Sequence, residues 1–435
     1  MTRRARFEPS GPLQGTYTPP PDKSISHRAA MFAAMSDEPV VVRNYLRSED
    51  TESTLSALQS LGAGVEDDGN GVVLVRGVGL HAPLEATGGL LDVGNSGTLM
   101  RLLPGWLAGQ PGREWTLDGD ESIRRRPVDR VAEPLAAMGA GLEAREDRFP
   151  PFKVTGAKLV GVEYALPVAS AQVKSCVLIA GMLADGSTTV VEPGPSRDHT
   201  ERLMRRAHVP FQSEKGRLTV TQVDEIELDE VVVPGDPSSA AFIVAAAMLV
   251  PGSRVVVSGM GLNWTRTAFF QIVQRMGAVV VCELEEPGTE TDKEPIGELD
   301  VASGPLEGTE VGPDEVPLAI DELTLVALLG AFADGETVVR GAAELRLKES
   351  DRIAVVVEGL RGLGADIEET PDGFVVRGDG SPLAGGTIDA HGDHRLAMLG
   401  AVAGLASTGG VEVVGMESAA VSYPGFEADL AALIG

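Results

Sequence analysis

A helix-length run of almost unbroken apolar residues recurs six times along this chain, and few folds can absorb that many. The runs read SISHRAAMFAAM, SGTLMRLLPGWLAG, SAQVKSCVLIAGMLADG, DPSSAAFIVAAAMLVPG, DELTLVALLGAFADG and DHRLAMLGAVAGLA. Each is followed by a Val-rich strand (PVVVR, EWTLDG, TTVVE, RVVVSG, TVVRG, VEVVG), a polar loop and an amphipathic helix. Most copies then close on Leu/Met-Gly-Ala or a variant, as in LQSLGAGVE, LAAMGAGLE and LRGLGADIE. Repetition at this spacing means stacked supersecondary units. A helix apolar on nearly every face belongs inside a core, not on the surface of a sheet.

Each buried run nevertheless opens on polar or charged residues. A helix N-terminus carries free backbone N–H groups and a partial positive charge, both of which favour anions. Around the six starts lie Lys23, Ser24, Arg28, Asn95, Ser96, Arg101, Ser170, Gln172, Asp321, His394 and Arg395. If the units pack in parallel, these ends converge and imply a ligand with several negative charges.

A chain of 435 residues exceeds one ordinary core. The repeats divide into three units over residues 21–234 and three over 235–435, joined at VVVPGDPSS. The fold class expected is α/β (α+β) with two domains. The net charge of −28 argues against nucleic acid or an anionic membrane as partner. The apolar runs are too short to span a bilayer, and MTRRARFEPSGP lacks the apolar region of a signal peptide. Cys176 and Cys282 lie in apolar segments and read as reduced core thiols, which fits a cytoplasmic protein. The acidic stretch from Glu283 to Gly308 reads as a loop or mobile hairpin.

Several motifs carry candidate chemistry, each with a plainer reading beside it. PPPDKSISHR could be a capped helix with solvated charges, although lysine is scarce here, at seven against 29 arginines. GNSGTLMR lets backbone approach a ligand, or is simply a tight turn. SIRRRPVDR could clamp a carboxylate or phosphate, with one of Arg124, Arg125 and Arg126 pointing inward. Ser170 and Ser196 could cap helices or, with Gln172 and Arg197, hold phosphate. Asp321 could be an N-cap or a general base. LRLKESDR reads as a salt-bridged helix entrance or a site, and HGDHR as a polar turn or a helix-mouth site. No zinc spacing, Walker A sequence or Ser-His-Asp signature is present.

Taken in order, PDKSISHR, GNSGTLMR, RRRPVD, SAQVKS, SRDHTE, DE, LKESDR and GDHR resemble the 5-enolpyruvylshikimate 3-phosphate synthases across essentially the whole chain. The resemblance implies a two-domain inside-out α/β barrel, each domain three βαβαββ units around buried parallel helices. The domains would comprise residues 1–20 plus 235–435, and 21–234. It implies transfer of the enolpyruvyl group of phosphoenolpyruvate to the 5-hydroxyl of shikimate 3-phosphate, releasing phosphate. The route is addition and elimination through a tetrahedral intermediate, without metal or organic cofactor. It also implies a cytoplasmic monomer of aromatic amino-acid biosynthesis and a target of glyphosate.

By the same resemblance, shikimate 3-phosphate is held by Lys23, Ser24, Arg28, Ser170, Ala171, Gln172, Ser196, Asp321 and Lys348. Phosphoenolpyruvate is held by Lys23, Gly97, Arg126, Gln172, Arg352 and Arg395. Asp321 is the base on the 5-hydroxyl, Glu349 takes part in proton transfer at the methylene, and Lys23 joins them as catalytic. Domain closure would exclude water. The chain departs from some members at Val421, where they carry a lysine, at Ala171, where they carry serine, and at Glu344, where they carry asparagine. Two alternatives share the scaffold. One is a UDP-N-acetylglucosamine enolpyruvyl transferase, which usually has a reactive cysteine in the region of Gly109–Arg130 that this chain lacks. The other is a non-catalytic anion-binding protein, which would be expected to lose Asp321, Glu349 or Lys23.

Overall fold

The computed structural model describes residues 2–81, 85 and 88–434. Among these, the six apolar runs form helices Lys23–Met35, Gly97–Ala108, Ala171–Leu183, Pro237–Leu249, Leu323–Phe332 and His394–Ala406. Each is buried over almost its whole length; in Pro237–Leu249 every residue up to Met248 is buried. The amphipathic partners are Glu49–Ser60, Asp129–Ala137, His199–Arg206, Ala268–Arg275, Arg352–Gly362 and Phe426–Ile434. The strand after each of the first five central helices pairs antiparallel with a later strand. Val40–Arg43 lies against Val72–Arg76 in this way, with Val40, Val42, Val73 and Val75 all buried. That alternation is the period-two signature of a half-covered sheet.

The chain divides into two compact units. One comprises residues 21–233 with 290–294. Its first sheet is completed by Glu230–Val232, which returns from the end of the third repeat to pair parallel with Val40–Arg43. Central helices two and three of this unit approach so closely that a Cβ on Gly105 would come within 2.3 Å of the Cys176 carbonyl oxygen. Only glycine fits there. The other unit comprises residues 1–20, 234–289 and 295–435. Two N-terminal strands complete its sheets: Gln14–Tyr17 pairs parallel with Arg254–Gly261, and Arg4–Phe7 antiparallel with Val411–Val414. The hydroxyls of Tyr17 and Tyr423, 2.5 Å apart, tie the N-terminal segment to the last repeat. Each unit has its own aliphatic core.

One expectation holds only over residues 283–295, which carry no helix or strand. The stretch 283–308 contains a strand, Ile296–Ala302, that pairs with both Arg254–Gly261 and Val279–Cys282 in the interior of a sheet. Leu299 and Val301 are fully buried there. Their alternation with polar residues was hidden by the acidic residues on either side. Cys176 and Cys282 are free thiols, the first buried and the second half-buried, and burial pushes both thiol pKa values up. Among the described residues, no helix is long and apolar enough to cross a membrane.

Candidate active site

In the unit of residues 21–233, three helix starts are tied together by side chains. Asp22 caps the first central helix by accepting from the Ile25 amide, which leaves Lys23 and Ser24 at the helix mouth. Lys23 Nζ lies 2.9 Å from Asp50. Buried Arg28 donates to Thr200 Oγ1 at 2.9 Å and to Ser175 Oγ at 3.0 Å, joining the first helix to the third and to the helix His199–Arg206. Arg197 donates to Ser24 Oγ at 3.2 Å. Ser170 caps the third central helix through the Val173 amide, and Ala171 is that helix's first residue. Gln172 Nε2 reaches Thr98 Oγ1 at 3.2 Å and so joins the second helix start to the third. Ser196 caps no helix; its hydroxyl donates to Glu192 at 2.6 Å.

Of the three consecutive arginines, Arg124 is exposed and paired with Asp118, and Arg125 is exposed as well. Arg126 is buried and donates to Asn95 at 3.2 Å and to Ser122 at 3.1 Å. A Cβ placed on Gly97 would lie 2.8 Å from Arg126 Nη1 and 2.9 Å from Arg101 Nη1. Glycine at this helix start therefore makes room for two guanidinium groups.

Within the first repeat, Lys23 and His27 on the central helix face Asp50 and Thr54 on its amphipathic partner, in matching i, i+4 steps. His27 is 0% exposed and its Nδ1 lies 2.7 Å from Thr54 Oγ1. Its Nε2 is buried with no hydrogen-bond partner. Burial, reinforced by the nearby Lys23 and Arg28 charges, drives its pKa well below 6.5. Below about pH 6.5 the unfolded chain therefore binds a proton that the folded chain refuses, and stability falls with falling pH. The expected loss is about 1.4 kcal/mol per pH unit below that point. Urea titrations from pH 7.5 to 5 on the native chain and on His27→Gln should differ by this slope; parallel curves would show that His27 is protonated in the fold.

In the other unit, a second cluster surrounds Asp321. It sits in the turn between Val316–Ala319 and Leu323–Phe332, where the flanking Glu322 makes no side-chain cap. The Asp321 carboxylate faces three cations, Lys348 at 3.4 Å, Arg352 at 3.3 Å and Arg395 at 3.8 Å. Arg395 also donates to the Asp321 carbonyl at 2.8 Å. Arg352, 1% exposed, contacts Glu349 at 2.6 Å and Asp393 at 2.8 Å as well. Burial opposes its charge, but Asp393, Glu349 and Asp321 more than offset this and raise its pKa. Arg346, by contrast, pairs with Asp351 and Glu369 away from this cluster.

Asp393 is the residue that motif reading passed over. It is fully buried, accepts from Arg352 Nε and Ser350 Oγ, and caps the sixth central helix through the Arg395 amide at 2.9 Å. Burial alone would raise its pKa, but the Arg352 charge outweighs it and the value is lowered. The signal was available in HGDHR, as an aspartate directly before a helix start.

Repeats whose buried central helices open on basic and hydroxyl-bearing mouths define a class, the enolpyruvyl-transferase type of inside-out α/β protein. The model of the EPSP synthase (3-phosphoshikimate 1-carboxyvinyltransferase) family matches residues 7–430, and the chain belongs to that family. A 3-phosphoshikimate 1-carboxyvinyltransferase of Thermus thermophilus is 46% identical over 427 residues, covering 98% of this chain and 97% of that one. One from a Synechococcus strain is 45% identical over 428 residues, covering 97% and 96%. The solved EPSP synthase of Acinetobacter baumannii matches with a TM-score of 0.86 at 40% identity, covering 100% and 98%. The enolpyruvyl transferase NikO of Streptomyces tendae, 17% identical with a TM-score of 0.77, shares the fold.

Proposed function

We infer that the chain transfers the enolpyruvyl group of phosphoenolpyruvate to the 5-hydroxyl of shikimate 3-phosphate and releases phosphate, a step of aromatic amino-acid biosynthesis. This reading is carried by one set of charged and hydroxyl groups in each unit. One is a hydroxyl-rich set of helix mouths served by Lys23, Arg28 and Arg197. The other is a carboxylate set inside three cations, Lys348, Arg352 and Arg395.

In this reading Ser24, Arg28, Ser170, Gln172 and Ser196 hold the phosphate and ring of shikimate 3-phosphate, with Ala171 contributing backbone at the helix start. An acceptor-only phosphate suits hydroxyls, guanidinium groups and free amides. Gly97, Arg126, Arg352 and Arg395 hold phosphoenolpyruvate, with Lys23 and Gln172 between the two ligands. Asp321 accepts the proton of the 5-hydroxyl as the nucleophile attacks, Lys348 steadies that oxygen, and Glu349 moves a proton at the methylene carbon. The reaction is expected to run in the cytoplasm by a monomer, and size-exclusion chromatography with light scattering tests the latter.

Glyphosate is expected to occupy the phosphoenolpyruvate position. Gly97→Ala places a methyl group against Arg126 and Arg101, both flexible ends that can shift. The variant should fold, with a raised KM for phosphoenolpyruvate and a larger rise in the glyphosate inhibition constant, on the order of tenfold or more. Steady-state inhibition kinetics check this; unchanged constants would place the ligand away from Gly97.

A further inference from the structure

Beneath the phosphate-binding hydroxyls lies a buried charge cluster with no part in the chemistry above. Lys174, on the third central helix and 1% exposed, contacts Glu201 at 2.6 Å and the two oxygens of Glu192 at 3.1 and 3.2 Å. It also reaches the Ser196 carbonyl at 3.4 Å. Burial works against the Lys174 charge, and Glu201 and Glu192 more than offset it. The ammonium thus fixes Glu192, and Glu192 in turn accepts the Ser196 hydroxyl hydrogen at 2.6 Å. A serine hydroxyl has one hydrogen, and a phosphate group has no use for its lone pairs. With that hydrogen directed at Glu192, Ser196 cannot donate to an incoming phosphate.

Resting on the assignment of Ser196 to the phosphate of shikimate 3-phosphate, we propose that Glu192, locked by Lys174, is a positioning residue that holds the Ser196 hydroxyl turned away from the substrate. Binding must break this short, charge-assisted bond before Ser196 can serve the phosphate. Glu192 thereby weakens the affinity for shikimate 3-phosphate without touching it.

The test is Glu192→Gln. The neutral amide removes the charge that strengthens the Ser196 bond, so the hydroxyl hydrogen is released more readily to the ligand. Calorimetry with shikimate 3-phosphate should show Kd falling about three- to tenfold, the worth of one hydrogen bond, while the KM for phosphoenolpyruvate stays unchanged. Ser196→Ala should raise Kd, and adding Glu192→Gln to it should produce no further gain, because the two act through one bond. A purely structural role for Glu192 would give neither tighter binding nor this coupling. If Ser196→Ala leaves Kd unchanged, Ser196 does not hold the phosphate, and the proposal falls with that assignment. If Ser196→Ala raises Kd but Glu192→Gln fails to lower it, the assignment stands and the proposal is overturned. Glu192→Asp keeps the charge beside Lys174 but withdraws it from Ser196; it should also tighten binding, and it decides the matter if the glutamine variant does not fold.

Discussion

Replacing Asp321 with alanine is expected to cut turnover by a factor on the order of 10² to 10⁴, the usual worth of a positioned general base. The fold should survive, because Arg352 keeps Asp393 and Glu349 as partners. Shikimate 3-phosphate should still bind through the hydroxyl and guanidinium groups of the other unit. Such a split between retained Kd and lost kcat separates proton removal from ligand holding. Near-normal turnover would remove Asp321 from the mechanism, and lost binding with normal turnover at saturation would make it a ligand contact only.

Asp393→Ala should have the largest effect on stability. It removes one fully buried partner of a guanidinium that is 1% exposed; breaking a buried pair from one side typically costs about 3–5 kcal/mol, and Glu349 and Asp321, which stay beside Arg352, hold the cost toward the lower end. It also removes the cap of the sixth central helix, which typically contributes about 1 kcal/mol. The two costs share one side chain and do not simply add. Asp393→Asn keeps a capping oxygen but loses the charge, so it should fall between alanine and the native residue in urea unfolding. In both variants the KM for phosphoenolpyruvate should rise, because Arg352 is oriented by Asp393. Equal stability of the asparagine and native chains would show that only the cap matters.

The six repeats were legible because a helix buried on all sides must be apolar on all sides, and only its mouth is free to carry polar chemistry. That one rule located Lys23, Ser24, Arg28, Ser170, Gln172 and Arg395. The strand Ile296–Ala302 was not legible, since Leu299 and Val301 are two apolar residues in an acidic neighbourhood and their pairing is with strands far along the chain. The arginine run left three candidates open. The turn that exposes Arg124 and Arg125 and buries Arg126 depends on Asn95 and Ser122 lying beneath it. At Asp321 the local pattern suggested a cap, but two cations from later in its own repeat, Lys348 and Arg352, and one from the next, Arg395, face its carboxylate. Asp393 was overlooked for the converse reason. Its cap is local and visible, whereas its bond to Arg352 joins residues 41 apart in sequence. The fold follows from short-range periodicity; the site depends on contacts between repeats.

Phosphate release from phosphoenolpyruvate, followed with shikimate 3-phosphate and separately with UDP-N-acetylglucosamine, tests the central claim most directly. Release should occur with shikimate 3-phosphate alone and should be lost in Asp321→Ala. Release with the nucleotide sugar alone would contradict the substrate assignment while leaving the fold intact. Release with neither, from a folded sample, would contradict the assignment of this chain as an enzyme.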